Sequence, residues 1–241
     1  TAWSVARGSS SRGVMSRKVM PGRGKSGTVR ISASRFTRPS VPVGHDPIVE
    51  PALNFDSLDL GAALIGEAEA AGMETHGSRD AAVLLPVTGW PTRPHITFTE
   101  RRADLRKHAG EISFPGGMGE DHDRDLAATA LRESHEEINL HPSRVELVGA
   151  LPPVGTFVTS FRIQPFVGLV SGEEPLIANP DEVAAILNFS IEDLVESYAM
   201  RRLVRRGVPI RTPTFELDRH LIWGATARIL TEFLVRIQAL A

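Results

Sequence analysis

The chain has 241 residues, 41% of them hydrophobic and 23% charged, which is enough apolar material for one well-packed core. It contains no cysteine, so disulfide bonds, thiolate nucleophiles and zinc–thiolate sites are excluded. No apolar run approaches the roughly 18 residues that a membrane span needs. The composition therefore predicts a soluble, cytoplasmic protein that does not enter a membrane.

The small net charge of −2 conceals an uneven distribution along the chain. The first 40 residues carry nine Lys or Arg and no acid, which leaves 18 basic and 29 acidic side chains, a net charge of −11, in the remainder. Residues 1–45, rich in Ser and Gly, are predicted to be a disordered basic leader before one domain, residues 46–241. This leader could act as a nucleic-acid-binding arm or as a transit peptide. We favour a leader without function, with Met15 or Met20 as the true start, and expect no nucleic-acid partner.

Periodicity and turn signals predict an α/β protein in which a mixed sheet lies between helices. In chain order the predicted elements are helix Ser57–Ala71 closed by Gly72, strands Ala81–Val87 and His95–Thr99, helix Leu126–Ile138, strands Val145–Leu151 and Arg162–Val170, helix Ser190–Ser197 and helix Ile222–Leu240. The first two strands are predicted to form a hairpin across Gly89-Trp90-Pro91, because glycine and proline interrupt the apolar pattern there.

Three glutamates crowd the helix predicted at residues 126–138. With Glu133 set at 0° and about 100° per residue, Glu136 lies at about −60° and Glu137 at about +40°, so the three carboxylates share one helix face. Ala127, Leu131 and Ile138 form an apolar stripe on another face, which predicts that the helix docks on a sheet through that stripe. A solvated surface could carry these glutamates, but a cluster of carboxylate oxygens also suits a hard cation such as Mg²⁺ or Mn²⁺.

The segment from Gly117 to Leu140 resembles the Nudix box, in which a glycine turn precedes a helix that carries R-E and E-E pairs. Here Arg132-Glu133 and Glu136-Glu137 match those pairs. The distance from glycine to arginine is one residue longer than in the family pattern, so its first glutamate has no counterpart and the nearest acids are Asp123 and Asp125. Ser134 replaces an aliphatic residue. Asn139 replaces the glycine that ends the helix, and Asn is the next-best residue for a left-handed conformation.

The flanking residues resemble the coenzyme A pyrophosphatase branch of the Nudix family. The segment that precedes the box in that branch is similar to Thr97–Arg102 and Leu105–Gly117, and later segments are similar to Ile163–Gly168, Asn179–Val183 and His220–Ala227. This resemblance implies a Nudix-type α/β/α sandwich with a mixed sheet and the box loop and helix. It also implies hydrolysis of the pyrophosphate bond of coenzyme A or its derivatives, which gives 3′,5′-ADP and 4′-phosphopantetheine.

The resemblance assigns roles residue by residue. It implies that Glu133, Glu136 and Glu137 bind Mg²⁺ or Mn²⁺, and that Arg132 orients these glutamates. Glu133 or Glu182 is the candidate general base, although Glu182 could equally be an exposed carboxylate at the start of a helix. The residues expected to contact the substrate are Arg101, Arg106, Gly116 and Gly117, whereas His108 is closer to an ordinary surface residue.

Two other functions are compatible with the same motif. One is hydrolysis of another nucleoside diphosphate derivative, such as ADP-ribose or a dinucleotide. The other is a Nudix module that senses a nucleotide without cleaving it, but a module without catalysis has no physical reason to keep three mutually repelling carboxylates together. Because Nudix proteins commonly dimerise, a homodimer is an open alternative to a monomer, and the C-terminal helix is a candidate dimer surface.

Overall fold

The computed structural model describes residues 53–104, 110–156, 159–205 and 208–240. The basic leader predicted at residues 1–45 lies outside these ranges, and so do Arg106 and His108.

The described residues form a large mixed sheet with helices on both faces and a smaller antiparallel sheet that packs on α4 and α5. The helices are α1 Leu60–Ala63, α2 Glu67–Gly72, α3 Leu126–Ile138, α4 Ile191–Ser197 and α5 Gly224–Arg236. The strands of the large sheet are β1 Arg79–Thr88, β2 His95–Arg101, β3 Ile112–Ser113, β4 Gly116–Met118, β5 Val145–Ala150, β6 Val154–Gly155, β7 Phe161–Val170 and β8 Val183–Ser190. The small sheet contains β9 Tyr198–Arg205, β10 Val208–Leu217 and β11 His220–Ile222. The predicted α/β sandwich with a mixed sheet is confirmed.

The centre of the large sheet is the parallel pair of β1 and β7, which runs in register from Arg79 opposite Phe161 to Val87 opposite Leu169. β1 and β2 pair as the predicted hairpin only near its turn. Further along, β3 pairs with β2 and β4 pairs with β1. The glycine turn that joins β3 to β4 is therefore fixed between the two diverging strands of the hairpin.

Each face of the large sheet has its own apolar core. On one face Ala82, Leu84 and Phe166 pack with Ala130 and Ile138 of α3. The other face carries a larger core that includes the buried side of α5, namely Ile229, Leu230, Phe233 and Leu234. Full burial of one such large side chain contributes about 1.5–3 kcal/mol. Packing in the two cores fixes the position of α3 relative to the strands of the large sheet.

The boundaries of α3 agree with the prediction, and local capping explains both of them. At the start, the Asp125 side chain accepts a hydrogen bond of 2.7 Å from the backbone N–H of Ala128. At the end, Asn139 adopts a left-handed conformation with φ 54°, and its N–H donates to the His135 carbonyl. Ser134 lies buried at its aliphatic position, where its hydroxyl donates to the Ala130 carbonyl at 2.7 Å.

The single helix predicted for Ser57–Ala71 is wrong, because the segment forms two short helices, α1 and α2. Between them Ile65 pairs with Ala150 at the end of β5, through backbone hydrogen bonds of 3.1 and 2.8 Å. Leu64 is extended, with φ −100° and ψ 172°. A helical backbone cannot make this bridge, so pairing with a distant strand overrides the local helical pattern.

Two further elements differ from the prediction. The terminal helix begins at Gly224 rather than at Ile222, because His220–Ile222 pairs with β10, and the helix ends at Arg236 rather than at Leu240. Residues 183–190 form strand β8, whereas a helix was expected soon after Pro180. No helix in the described part of the chain has both the length and the apolar character that a membrane crossing requires.

Candidate active site

Glu137 lies on the buried side of α3 and not on a solvent-facing carboxylate surface. The buried residues of this helix include Ala127, Ala130, Ser134 and Ile138, and Glu137 continues the same face. The predicted apolar stripe packs on the sheet, since Ala127 and Ile138 are buried and Leu131 packs against the same core, but the expected separate acidic side is wrong for Glu137. Because its side chain is only 4% exposed, Glu137 has been removed from water at a cost that needs compensation.

The protein compensates the buried Glu137 carboxylate incompletely. The Gly116 N–H donates to Oε2 at 3.3 Å, and Nη1 of Arg101 lies 3.6 Å from Oε1. Burial raises the pKa of Glu137 to about 8, the Gly116 N–H and Arg101 oppose that rise, and the charges of Glu133 and Glu182 add to it. A cation placed beside Glu137 would therefore stabilise its charged form.

Glu133 is held against the glycine turn one helical turn earlier. A β-carbon at residue 117 would overlap the Glu133 carboxylate, so only glycine allows this approach. Nη1 of Arg132 donates to Glu133 Oε1 at 3.1 Å. Burial raises the pKa of Glu133 above its ordinary value although Arg132 lowers it. The Gly-Gly sequence therefore brings the backbone and two glutamates of α3 into direct contact.

Arg132 organises the outer part of the cluster. Its Nε and Nη2 donate to the two carboxylate oxygens of Asp123 at 3.0 Å each, and its Nη1 reaches Glu136 at 3.0 Å as well as Glu133. Nη2 also donates to the Met118 carbonyl at 3.1 Å. Asp123 was named only as a candidate for the missing first glutamate of the box, and its ion pair with Arg132 was not foreseen. Arg132 therefore contacts Asp123, Glu133 and Glu136 together.

The loop before β8 brings Glu182 to the same place. The Asn179 N–H donates to the carbonyl of Glu137 at 2.8 Å, and the Asn179 side chain accepts from the Asp181 N–H at 3.1 Å. Glu182 then lies with Oε2 4.0 Å from Nη1 of Arg101. An Asn-Pro pair such as 179–180 favours a turn, but its attachment to the end of α3 could not be read from the sequence.

Most of the predicted site residues therefore meet at one position, with Glu136 at its exposed rim. They are Arg101, Gly116, Gly117, Arg132, Glu133, Glu137 and Glu182. In the described ranges no three His, Asp or Glu side chains lie close enough together to form a ready cation site. The donor chemistry nevertheless fits a hard dication. The acidic side chains of the set offer carboxylate oxygens only, and burial raises the pKa of one of them, Glu137, with a smaller contribution from neighbouring acids.

The comparisons with known proteins agree with this geometry. Residues 78–207 match the family model of the NUDIX domain. A protein of Escherichia coli O7:K1 (strain IAI39 / ExPEC), named uncharacterized Nudix hydrolase NudL, is 38% identical over 166 residues, which cover 68% of this chain and 85% of that protein. A glycine turn followed by a carboxylate-rich helix is typical of the active sites of this class of hydrolase. The chain belongs to the Nudix hydrolase family.

Solved structures are more distant. A MutT/nudix family protein from Enterococcus faecalis is 14% identical, with a TM-score of 0.48 over 69% of this chain and 64% of that chain. The NUDIX domain of Shewanella oneidensis NrtR, crystallised with ADP ribose, is 16% identical, with a TM-score of 0.40 over 55% of this chain and 88% of that chain. Nudix hydrolases generally use divalent metal ions.

Proposed function

We propose that this protein hydrolyses the pyrophosphate bond of coenzyme A or a coenzyme A derivative and releases 3′,5′-ADP and the corresponding 4′-phosphopantetheine. The observation that carries the hydrolytic part is the convergence of Glu133, Glu137, Glu182 and Arg101 at the Gly116-Gly117 turn. The choice of coenzyme A is supported by the segments that resemble the coenzyme A branch, because two of them, around Arg101 and around Asn179, supply residues to this site.

Each residue has a proposed task that its contacts support. Glu133, Glu136 and Glu137 would hold Mg²⁺ or Mn²⁺, which when bound neutralises the diphosphate and makes a water molecule more acidic. Arg132 keeps Glu133 and Glu136 in place through its hydrogen bonds to both. Arg101 is 30% exposed, so its remaining N–H groups can donate to a substrate phosphate.

The general base is assigned to Glu182 in preference to Glu133. Glu133 already accepts a hydrogen bond from Arg132 and packs on Gly117. The Glu182 side chain is 48% exposed and carries a carboxylate oxygen within 4.0 Å of Arg101. A water molecule can therefore approach Glu182 more readily than Glu133, whose side chain is 17% exposed, and Glu182 would take the proton from that water as the oxygen attacks phosphorus.

A substrate panel tests the function directly. The full chain is incubated with Mg²⁺ or Mn²⁺ and with coenzyme A, acyl-coenzyme A, ADP-ribose or a diadenosine compound, and the products are identified by mass. We expect 3′,5′-ADP from coenzyme A and no turnover after chelation of the metal. If ADP-ribose or the diadenosine compound is hydrolysed faster than coenzyme A, that compound is the preferred substrate. Tight binding of a nucleotide without any product would contradict the enzyme and favour a sensing module.

We also propose that residues 46–241 contain the whole catalytic unit. The site residues named above come from positions 101–182, and α5 closes the core behind them. A chain that begins at residue 46 should keep the kcat/KM of the full chain. A large loss of kcat/KM in the truncated chain would instead give the basic leader a role in the reaction.

A further inference from the structure

Arg79, the first residue of β1, is held in an unusual position for an exposed arginine. Its guanidinium lies over the Phe161 ring, 4.4 Å from the centroid, and its Nη2 is 2.8 Å from the sulfur of Met118. A cation over an aromatic face is stabilised by about 0.5–1 kcal/mol at an exposed position. The side chain is thereby oriented before any ligand is present.

Arg79 makes no ion pair with any residue that the structure describes. Arginines at this end of the sheet do not all lack one, as Arg162 shows. On the adjacent strand Arg162 donates to both carboxylate oxygens of Asp80, at 2.7 and 2.9 Å. Both carboxylate oxygens of Asp80 are therefore already paired with Arg162. The charge of Arg79 remains available to an anion from outside the protein.

Met118 connects Arg79 with the active site. Its carbonyl accepts from Arg132, and the preceding residue, Gly117, faces Glu133. Successive residues of a strand point to opposite faces, so the Met118 side chain points away from α3 and meets Arg79. Met118 is 48% exposed. The Arg79 guanidinium therefore contacts the residue that directly follows Gly117 of the glycine turn, at an exposed position.

We propose that Arg79 determines substrate specificity by binding a phosphate monoester that the substrate carries beside its diphosphate. This inference rests on the proposed function, because in coenzyme A that group is the 3′-phosphate of the adenosine ribose. A phosphate monoester is a near-dianion with oxygens that match the planar fork of a guanidinium. ADP-ribose and simple dinucleotides lack it, so Arg79 would favour coenzyme A over both.

The test compares coenzyme A with 3′-dephospho-coenzyme A, which differ only in this phosphate. The variant R79M keeps an apolar side chain for packing on Phe161 and removes the charge. Hydrogen bonds to charged groups are strong enough that R79M should raise the KM for coenzyme A by roughly tenfold or more. The KM for 3′-dephospho-coenzyme A and the kcat for both substrates should be unchanged. R211M, at an exposed arginine of β10, is the matched control and should change neither KM.

Two negative results can be told apart. If the wild-type enzyme hydrolyses coenzyme A but R79M leaves the ratio of the two KM values unchanged, the assignment of Arg79 is overturned and the proposed function stands. If the wild-type enzyme hydrolyses neither coenzyme A nor 3′-dephospho-coenzyme A, the proposed function fails and the assignment fails with it. Thermal unfolding of R79M, expected to match the wild type, shows that a changed KM does not come from loss of the fold.

Discussion

Asp123 and Glu137 lie near opposite ends of α3 and expose similarly little of their side chains, 6% and 4%, yet their electrostatic states are opposite. Asp123 accepts two hydrogen bonds from Arg132, one from the Glu120 N–H at 3.0 Å and one from the Thr129 hydroxyl at 2.9 Å. Arg132 holds the pKa of Asp123 well below its usual range. Burial raises the pKa of Glu137 to about 8.

The difference shows that burial alone does not identify a functional carboxylate. What separates the two groups is the number of donors that the protein supplies to each. Asp123 has its charge satisfied within the protein and therefore stabilises the fold. Glu137 has one backbone donor and one guanidinium at 3.6 Å, so an external cation can improve its environment further.

The strongest test of this contrast is the substitution Glu137→Gln, which keeps the size of the side chain and removes its charge. We expect turnover to fall by at least about 100-fold, since even indirect partners of metal ligands contribute 10–100-fold. The melting temperature should be unchanged or higher, because a buried amide has no charge to desolvate and takes up no proton on folding. Turnover and thermal unfolding are measured together, with Glu146→Gln at an exposed position of β5 as the control. Unchanged turnover would remove Glu137 from the metal site.

Asp123→Ala should show the reverse pattern in stability. Loss of one partner from a buried ion pair costs about 3 kcal/mol, and denaturant unfolding at neutral pH would measure this. The deficit relative to wild type should shrink as the pH falls below the ordinary Asp pKa of 3.8. The reason is that a lowered pKa stabilises the fold above that pH and loses its contribution as the folded form is protonated. Asp121→Ala, at an exposed position, is the control; an equal loss there would contradict the role of the ion pair.

The pH dependence of unfolding distinguishes the two carboxylates more finely. Between the ordinary Glu pKa of 4.5 and about 8, the folded chain keeps a proton on Glu137 that the unfolded chain releases. The free energy of unfolding of the wild type, measured with a chelator present, should therefore fall by about 1 kcal/mol or more as the pH rises through this window. Glu137→Gln should lack this decline. Parallel curves for the two proteins would mean that Glu137 is ionised throughout.

The smallest expected effect concerns the residue that ends α3 two positions after Glu137. Asn139 has φ 54°, and an alanine there should cost about 1 kcal/mol in the free energy of unfolding, because alanine lacks the short polar side chain that makes the left-handed conformation tolerable for asparagine. Asn139→Gly should be neutral or slightly stabilising. If Asn139→Ala also reduces turnover more than tenfold while the protein remains folded, the helix end positions Glu137 as well as closing the helix.

Much of the local structure could be predicted from the sequence. The limits of α3 follow from Asp125 and Asn139, and the hairpin of β1 and β2 follows from the Gly89-Trp90-Pro91 turn. These features depend on interactions between residues close together in the chain, which a sequence pattern records. The break at Ile65 depends on Ala150, which is distant in sequence, and no local signal announced it.

The candidate site divides in the same way. The helical spacing predicted that Glu133, Glu136 and Glu137 share a face, and the resemblance added Arg101 and Glu182. Which glutamate would be buried depended on a rotation of α3 that packing against Ala82 and Leu84 decides. The role of Asp123 and the attachment of Asn179 to Glu137 also required the tertiary structure.

The sequence by itself determined the types of residue available for chemistry and the places where helices and strands could begin and end. It did so because capping, periodicity and turn formation act over a few residues. Only the tertiary structure decided which charges are satisfied inside the protein, as for Asp123 and Arg162, and which are not, as for Glu137 and Arg79. The energy of a charge depends on its burial and on every donor around it, and folding brings those donors from distant parts of the chain.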